Sequence, residues 1–243
     1  MSTPLVKMKN VHKWFGTVHA LRGVNIHVGY SEILGLIGDN GAGKSTLIKI
    51  LVGLYPPSKG SVFFDGEKVN FSSPRDARDS GIETIYQEQA LADDLSVSRN
   101  IFLGKELLKS LGPIKLLDDK KMKEESRELL ESLHLHIPSM DQKTMYCSGG
   151  EKQGIAIARA IYFQAKLVIL DEPTTALGVK GAQRVLELVK ELKSKKISCL
   201  FITHDLPRIY SIADRLVVLV RGKVVKDVKK KNTSVNELIK FMT

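Results

Sequence analysis

Cysteine is scarce in this chain: Cys147 and Cys199 are the only two among 243 residues. Two cysteines make neither a disulfide framework nor a zinc-ligand spacing, which points to a reducing compartment. Aromatic residues are few, 6% with a single tryptophan. No run approaches the ~18 consecutive apolar residues of a spanning helix. Met1 to Asn10 holds no apolar stretch of the kind that marks a secretory signal. What is present is ordinary for a globular protein, 43% apolar and 26% charged, enough for one large domain or two small ones. The net charge is +10, from 37 Lys and Arg against 27 Asp and Glu. The excess is scattered, and its densest cluster, Lys226 with Lys229 to Lys231, lies beside Asp227 with no aromatic residue between. A groove for single-stranded nucleic acid interleaves such platforms with its cations, so no nucleic-acid partner is expected and the charge reads as a solvated surface.

Short apolar runs recur: Ile33 to Ile37, Leu167 to Leu170, Cys199 to Thr203 and Leu216 to Val220. Consecutive apolar positions between polar flanks are the pattern of strands buried on both faces, as in a parallel sheet covered by helices. Helical spacing lies between them, at Lys44 to Leu54 and at Gln183 to Leu192. The fold class is therefore α/β. Leu5 to Val11, Ala20 to Val28 and Gly60 to Val69 alternate instead, as strands of an antiparallel sheet do. Ser96 to Gln164 reads as helical, with a charged, exposed helix over Lys120 to Leu133.

Three segments carry chemistry. Gly38-Asp39-Asn40-Gly41-Ala42-Gly43-Lys44-Ser45 fits G-x-x-x-x-G-K-[ST] between a predicted strand and a predicted helix. Glycines let successive backbone N–H groups close around a polyphosphate, Lys44 reaches the β- and γ-phosphates, and the Ser45 hydroxyl suits Mg²⁺. The run ending in Asp171-Glu172 puts two acids at the end of a buried strand. There Asp171 suits Mg²⁺ and Glu172 suits the role of base for an attacking water. Ser148 and Glu151 in Cys147-Ser148-Gly149-Gly150-Glu151 form the S-x-x-E of a capping box, and the helix they open offers its N-terminus to an anion.

With the Ser148 helix start lying between the other two along the chain, the three segments resemble the ATP-binding cassette (ABC) ATPases, a P-loop NTPase family, over essentially the whole chain. The family signature Leu-Ser-Gly-Gly-Gln stands here as Cys147 to Glu151. The resemblance implies a single nucleotide-binding domain over 1–243, with an antiparallel β subdomain and a helical subdomain inserted at about 88–164. It implies ATP and Mg²⁺ as cofactors, with Thr46 joining Gly38 to Ser45 at the nucleotide. Gln87 would contact Mg²⁺ and the attacking water, His204 would sit at the γ-phosphate, and Phe15 would stack on adenine, with Trp14 as the alternative. Ser148, Gly149, Gly150 and Glu151 would act in trans, on the ATP of a second copy closed head to tail. Thr175-Ala176-Leu177-Gly178 departs from the family's Ser-Ala-Leu-Asp, leaving the usual coupling between the two sites in question. That departure, with Leu95-Ser96-Val97 and Asn100 to Gly104, resembles the monosaccharide-importer subgroup. Such an importer implies separate permease subunits, an external solute-binding protein acting indirectly, and a peripheral place on the cytoplasmic face of the membrane. A soluble cassette outside transport, as in iron–sulfur assembly, and an ATPase for amino-acid import are the alternatives.

Overall fold

The computed structural model describes residues 3–86 and 91–242. In chain order the elements are β1 (Val6–Phe15), β2 (Val18–Val28), β3 (Ile33–Ile37), α1 (Lys44–Leu51), β4 (Lys59–Phe64), β5 (Glu67–Val69), α2 (Pro74–Asp79) and β6 (Ile82–Ile85). There follow α3 (Val97–Ile101), β7 (Leu108–Leu111), β8 (Ile114–Leu117), α4 (Asp119–Ser132), α5 (Gly149–Tyr162), β9 (Leu167–Asp171) and α6 (Val179–Ser194). The last are β10 (Ser198–Thr203), α7 (Leu206–Ile212), β11 (Arg215–Val220), β12 (Lys223–Lys229) and α8 (Val235–Ile239). Two compact units divide the chain: one holds the residues up to Thr84, Ala165–Glu172 and those from Leu192 onward, the other Ile85–Gln164 and Pro173–Glu191.

The first unit is built on two sheets. The six-stranded sheet runs β12-β11-β3-β10-β9-β6, with β11, β3, β10 and β9 parallel and β12 antiparallel at one edge. The four apolar runs of the sequence are its central strands, and every residue of β3 and β10 is buried. Leu34, Leu36, Ile169, Leu200, Ile202 and Val217 share one face and join the core formed by α1 and the antiparallel sheet β2-β1-β4-β5. Gly35 faces the other way, against α7: a Cβ there would lie 2.7 Å from Ile209. Gly60 to Val69, expected as one strand, is a hairpin. Asp65 (φ 53°) and Gly66 (φ 87°) are both left-handed, the conformation of a two-residue hairpin turn. The buried guanidinium of Arg215 is clamped by Glu32 (2.8 Å) and Asp227 (2.7 Å), and it also donates to the His27 carbonyl.

In the second unit α3 packs against α4 and α5. Asn100, on α3, is fully buried: its amide donates to the carbonyls of Ala92, Leu95 and Ser96 and to the Thr144 hydroxyl, and its Oδ1 accepts from the Ala92 N–H. Ser96 to Gln164 is not helical throughout, because β7 and β8 pair as a two-stranded hairpin inside it. Its turn is Gly112-Pro113, with Gly112 at φ 62°. Glycine at the first turn position sets a hairpin, and no apolar periodicity announces one so exposed.

Candidate functional site

The chain leaves β3 at Ile37 and turns through Gly38 to Gly43 into α1. Glycine is required at the first of these positions by contact, since a Cβ on Gly38 would lie 2.3 Å from the Leu219 carbonyl oxygen. At Gly43 it is required by conformation, φ being 107°. The loop is braced by Ala42 N–H donating to Asp39 O (3.1 Å) and by Gly222 N–H donating to Ala42 O (2.9 Å). Lys44 is buried, and its Nζ donates to the carbonyls of Gly38 (2.6 Å) and Asp39 (3.2 Å), which holds the ammonium against the loop. Asp39, Asn40, Gly41 and Ser45 are exposed, and Thr46 is half-buried. The N-caps of α2, α3, α4, α5, α7 and α8 are Ser or Asp side chains that accept a backbone N–H. The N-cap of α1 is Gly43, which has no side chain to cap with, and its first turn has no acid. The positive end of α1 thus has no side-chain cap and no acid in its first turn, which is the composition of an anion site.

Three neighbouring parallel strands end at this edge of the sheet. Ile37 of β3 is level with Thr203 of β10, and Ile202 of β10 is level with Asp171 of β9. The phosphate loop, His204 and Glu172 therefore leave the sheet side by side, at the carboxyl ends of the strands where open α/β sheets bind ligands. Glu172 has a left-handed backbone, φ 51°, held by its N–H on the Ile202 carbonyl (2.9 Å). A non-glycine residue there carries roughly 1 kcal/mol of strain. Its carboxylate accepts from the Thr203 hydroxyl (3.2 Å) and from His204 Nδ1 (3.0 Å). An ionised carboxylate only accepts, so the His204 proton on this bond sits at Nδ1. The Glu172 side chain is 12% exposed and that of His204 54%. Asp171 is half-buried. Burial and the neighbouring Glu172 push its carboxyl above the usual aspartate range, while Lys44 and Lys49 pull the other way.

Ser45 and Asp171 together offer a hydroxyl and a carboxylate, the hard oxygen donors Mg²⁺ takes when phosphates and water fill the rest of its shell. Among the described residues there is no group of three His, Cys, Asp or Glu side chains that could hold a metal ion. Gln87 lies outside the described residues.

Phe15 ends β1 with its ring 42% exposed, edge-on to Tyr55 (5.4 Å) and beneath the Lys13 ammonium (5.2 Å). Trp14 is engaged on its own face, stacked on His19 at 4.0 Å. Of the two, Phe15 is the more exposed residue.

In the second unit Ser148 caps α5. Its Oγ accepts from the Glu151 N–H (3.3 Å) while the Glu151 carboxylate accepts from the Ser148 N–H (2.6 Å), which is the capping box expected from the spacing. Gly149 and Gly150 sit close to their neighbours: a Cβ on Gly149 would lie 2.5 Å from Leu177 Cδ2, the end of a flexible side chain, and one on Gly150 3.3 Å from the Gly181 Cα. Gly178 has open space about it, so its lack of a side chain is not a packing requirement. The sequence did not single out Thr203 as an anchor for Glu172. The only signal was its place, beside His204 at the end of an apolar run.

The ABC transporter family matches residues 21–175. The chain is 48% identical over 239 residues to the xylose/arabinose import ATP-binding protein of Sulfolobus acidocaldarius, covering 98% of this chain and 94% of that one. It is 38% identical over 244 residues to the fructose import ATP-binding protein of Rhizobium meliloti, with 99% and 94% covered. The solved dimeric post-hydrolysis state of an ATP-binding cassette with ADP and phosphate superposes with a TM-score of 0.77 at 27% identity, covering 93% of this chain and 98% of that one. With the phosphate loop, the paired acids and the capped Ser-Gly-Gly-Glu helix in place, and likeness running through nearly its full length, this chain belongs to the ABC transporter family, as one of its ATP-binding cassettes.

Proposed function

We propose that the chain is the ATP-hydrolysing subunit of a monosaccharide importer. It would work as two copies closed head to tail on separate integral-membrane permease subunits, with an external binding protein delivering the sugar. The sugar-import names of the two relatives support the substrate class, and the dimeric cassette supports the pairing. No helix among the described residues is long and apolar enough to cross a membrane, which suits a subunit lying against the cytoplasmic face with its permeases separate.

The observation that carries the reading is the sheet edge where the Gly38 to Ser45 loop, Glu172 and His204 emerge from adjacent strands. The loop N–H groups and Lys44 would bind the β- and γ-phosphates of ATP, and Phe15 would stack on the adenine. Ser45 and Asp171 would hold Mg²⁺, as the family resemblance implies for Gln87 too, and the ion would neutralise charge on the phosphate oxygens. Glu172 would take the proton of the attacking water. Thr203 and His204 anchor the carboxylate, and His204 would use Nε2, the nitrogen not engaged with Glu172, toward the γ-phosphate. From the partner copy, the N-terminus of α5 would bring about half a positive charge to the same phosphate. Glu151 would add little repulsion there, because its carboxylate is turned back onto the Ser148 N–H.

The test is Glu172→Gln. ATP binding by the purified chain should persist, since the phosphate contacts come from the loop, while steady-state hydrolysis falls about 10²-fold or more and ATP-bound dimers accumulate. Hydrolysis near the parental rate would overturn the assignment of the base.

A further inference from the structure

The β7–β8 hairpin shows apolar side chains on both of its faces. Leu111 is level with Ile114, and Lys109 with Leu116, so these four share one face. Leu108 with Leu117 and Ser110 with Lys115 share the other. Leu108 is 56% exposed, Leu111 67%, Ile114 59% and Leu116 42%. The hairpin is a sheet of two strands only, and nothing among the described residues covers either face of its outer end.

Each face also carries one lysine, Lys109 or Lys115, and no acid lies between Leu107 and Leu117. The acids at its base are turned to the backbone: Glu106 accepts from the Gly104 N–H (3.0 Å), and Asp118 accepts from the Lys121 N–H (3.2 Å) as the cap of α4. Among the described residues no acid is paired with Lys109 or Lys115, so the outer hairpin is apolar and cationic, in a chain of net charge +10. Exposed apolar clusters of this kind mark sites of interaction.

The two-sidedness selects the partner. Lys109 and Lys115 stand on opposite faces, as do exposed Leu108 and the set Leu111, Ile114 and Leu116, so a flat protein surface would meet one lysine and one apolar set and leave the others in water. The headgroup layer of a bilayer surrounds both faces, takes up leucine and isoleucine at its acyl boundary, and meets lysine with phosphate. We propose that this hairpin inserts its Gly112-Pro113 end into the surface of an anionic lipid bilayer, with Leu111, Ile114 and Leu116 at the acyl boundary and Lys109 and Lys115 on lipid phosphates. It is a lipid contact of the chain itself, apart from any permease, and it does not depend on the hydrolytic reading.

The experiment sediments the purified full chain, without nucleotide, with vesicles of phosphatidylcholine alone or mixed with phosphatidylserine. Binding is expected to the mixed vesicles and to weaken as salt screens the lysines. Leu111→Asp with Ile114→Asp should weaken it at least about tenfold, and so should Lys109→Glu with Lys115→Glu. All four side chains are exposed, so the thermal unfolding midpoint of each variant should stay parental. Leu111→Cys labelled with a polarity-sensitive fluorophore gives a second readout, both native cysteines being buried. Its emission should shift to the blue with the mixed vesicles. Absence of binding to the mixed vesicles overturns the proposal, as does binding unchanged by Leu111→Asp with Ile114→Asp. Self-association without lipid that the same pair of substitutions abolishes also overturns it, because the hairpin would then be a contact between copies.

Discussion

Glu172 departs from what its local sequence would choose. A glutamate prefers a right-handed or extended backbone, and this one is left-handed at φ 51°, two hydrogen bonds fixing its carboxylate against β10. Strain of this kind persists where the surrounding structure over-determines it, and such places cluster at functional sites. Lys44 shows the complementary case, a residue whose site is made by backbone. Its ammonium is buried on two loop carbonyls and within electrostatic reach of Asp171, so the loop itself holds a positive charge in place. Lys44→Ala should therefore lower nucleotide affinity and cut hydrolysis by about 10²-fold or more, the scale of losing one electrostatic stabiliser of the transition state. Calorimetric binding of ATP and a steady-state assay check the two parts, and parental turnover would contradict the role given to the loop. The residue types of this site were legible in the sequence because a phosphate loop is contiguous. The bond between His204 and Glu172 was not, because it joins two strands that meet only in the folded sheet.

At the scale of elements, the six-stranded sheet rests on an ion-pair cluster drawn from three strand ends and loops. Burial works against the Glu32 carboxylate, but the Arg215 guanidinium and the Gly29 N–H outweigh it and hold the carboxyl below the usual glutamate range. A depressed folded-state value contributes stability above the unfolded value, near 4.5 for glutamate, and that contribution is lost as pH falls through the lower folded value. Arg215→Met would leave Glu32 and Asp227 without their cation and should cost about 3–5 kcal/mol at neutral pH. The gap between parent and variant should narrow below the unfolded value, where the stranded Glu32 carboxylate takes up a proton. Denaturant unfolding at neutral and acid pH measures both, and a loss independent of pH would contradict the electrostatic account. Strands read more easily than such clusters: four buried runs declared themselves by apolar continuity, whereas Glu32, Arg215 and Asp227 are distant in sequence and share no pattern. The β7–β8 hairpin escaped notice for a different reason. It lies in a segment of helical composition and buries too little to impose an alternation. The split of Gly60 to Val69 was written in Asp65-Gly66, a turn pair that a run of alternating residues obscured.

At the scale of the molecule, the central claim is that one chain is half of a site. The phosphate loop, Glu172 and His204 belong to one compact unit, and the Ser148 helix to the other. In the head-to-tail arrangement proposed above, each ATP would take its loop from one copy and its α5 N-terminus from the second. Ser148→Arg would put a long side chain where the γ-phosphate must approach Gly149 and Gly150, and it would also remove the hydroxyl that accepts the Glu151 N–H. It should abolish hydrolysis while leaving ATP binding to the loop nearly intact. Lys44→Ala fails at the opposite end of the same site. A heterodimer of the two variants holds one complete site, built from the intact Lys44 of one chain and the intact Ser148 of the other. The most direct measurement is the ATPase rate per chain against protein concentration, for the parent, for each variant and for an equal mixture. The account predicts a parental rate per chain that rises with concentration, two inactive variants, and recovery of a substantial fraction of the parental rate on mixing. A parental rate per chain independent of concentration, with no recovery on mixing, would contradict it.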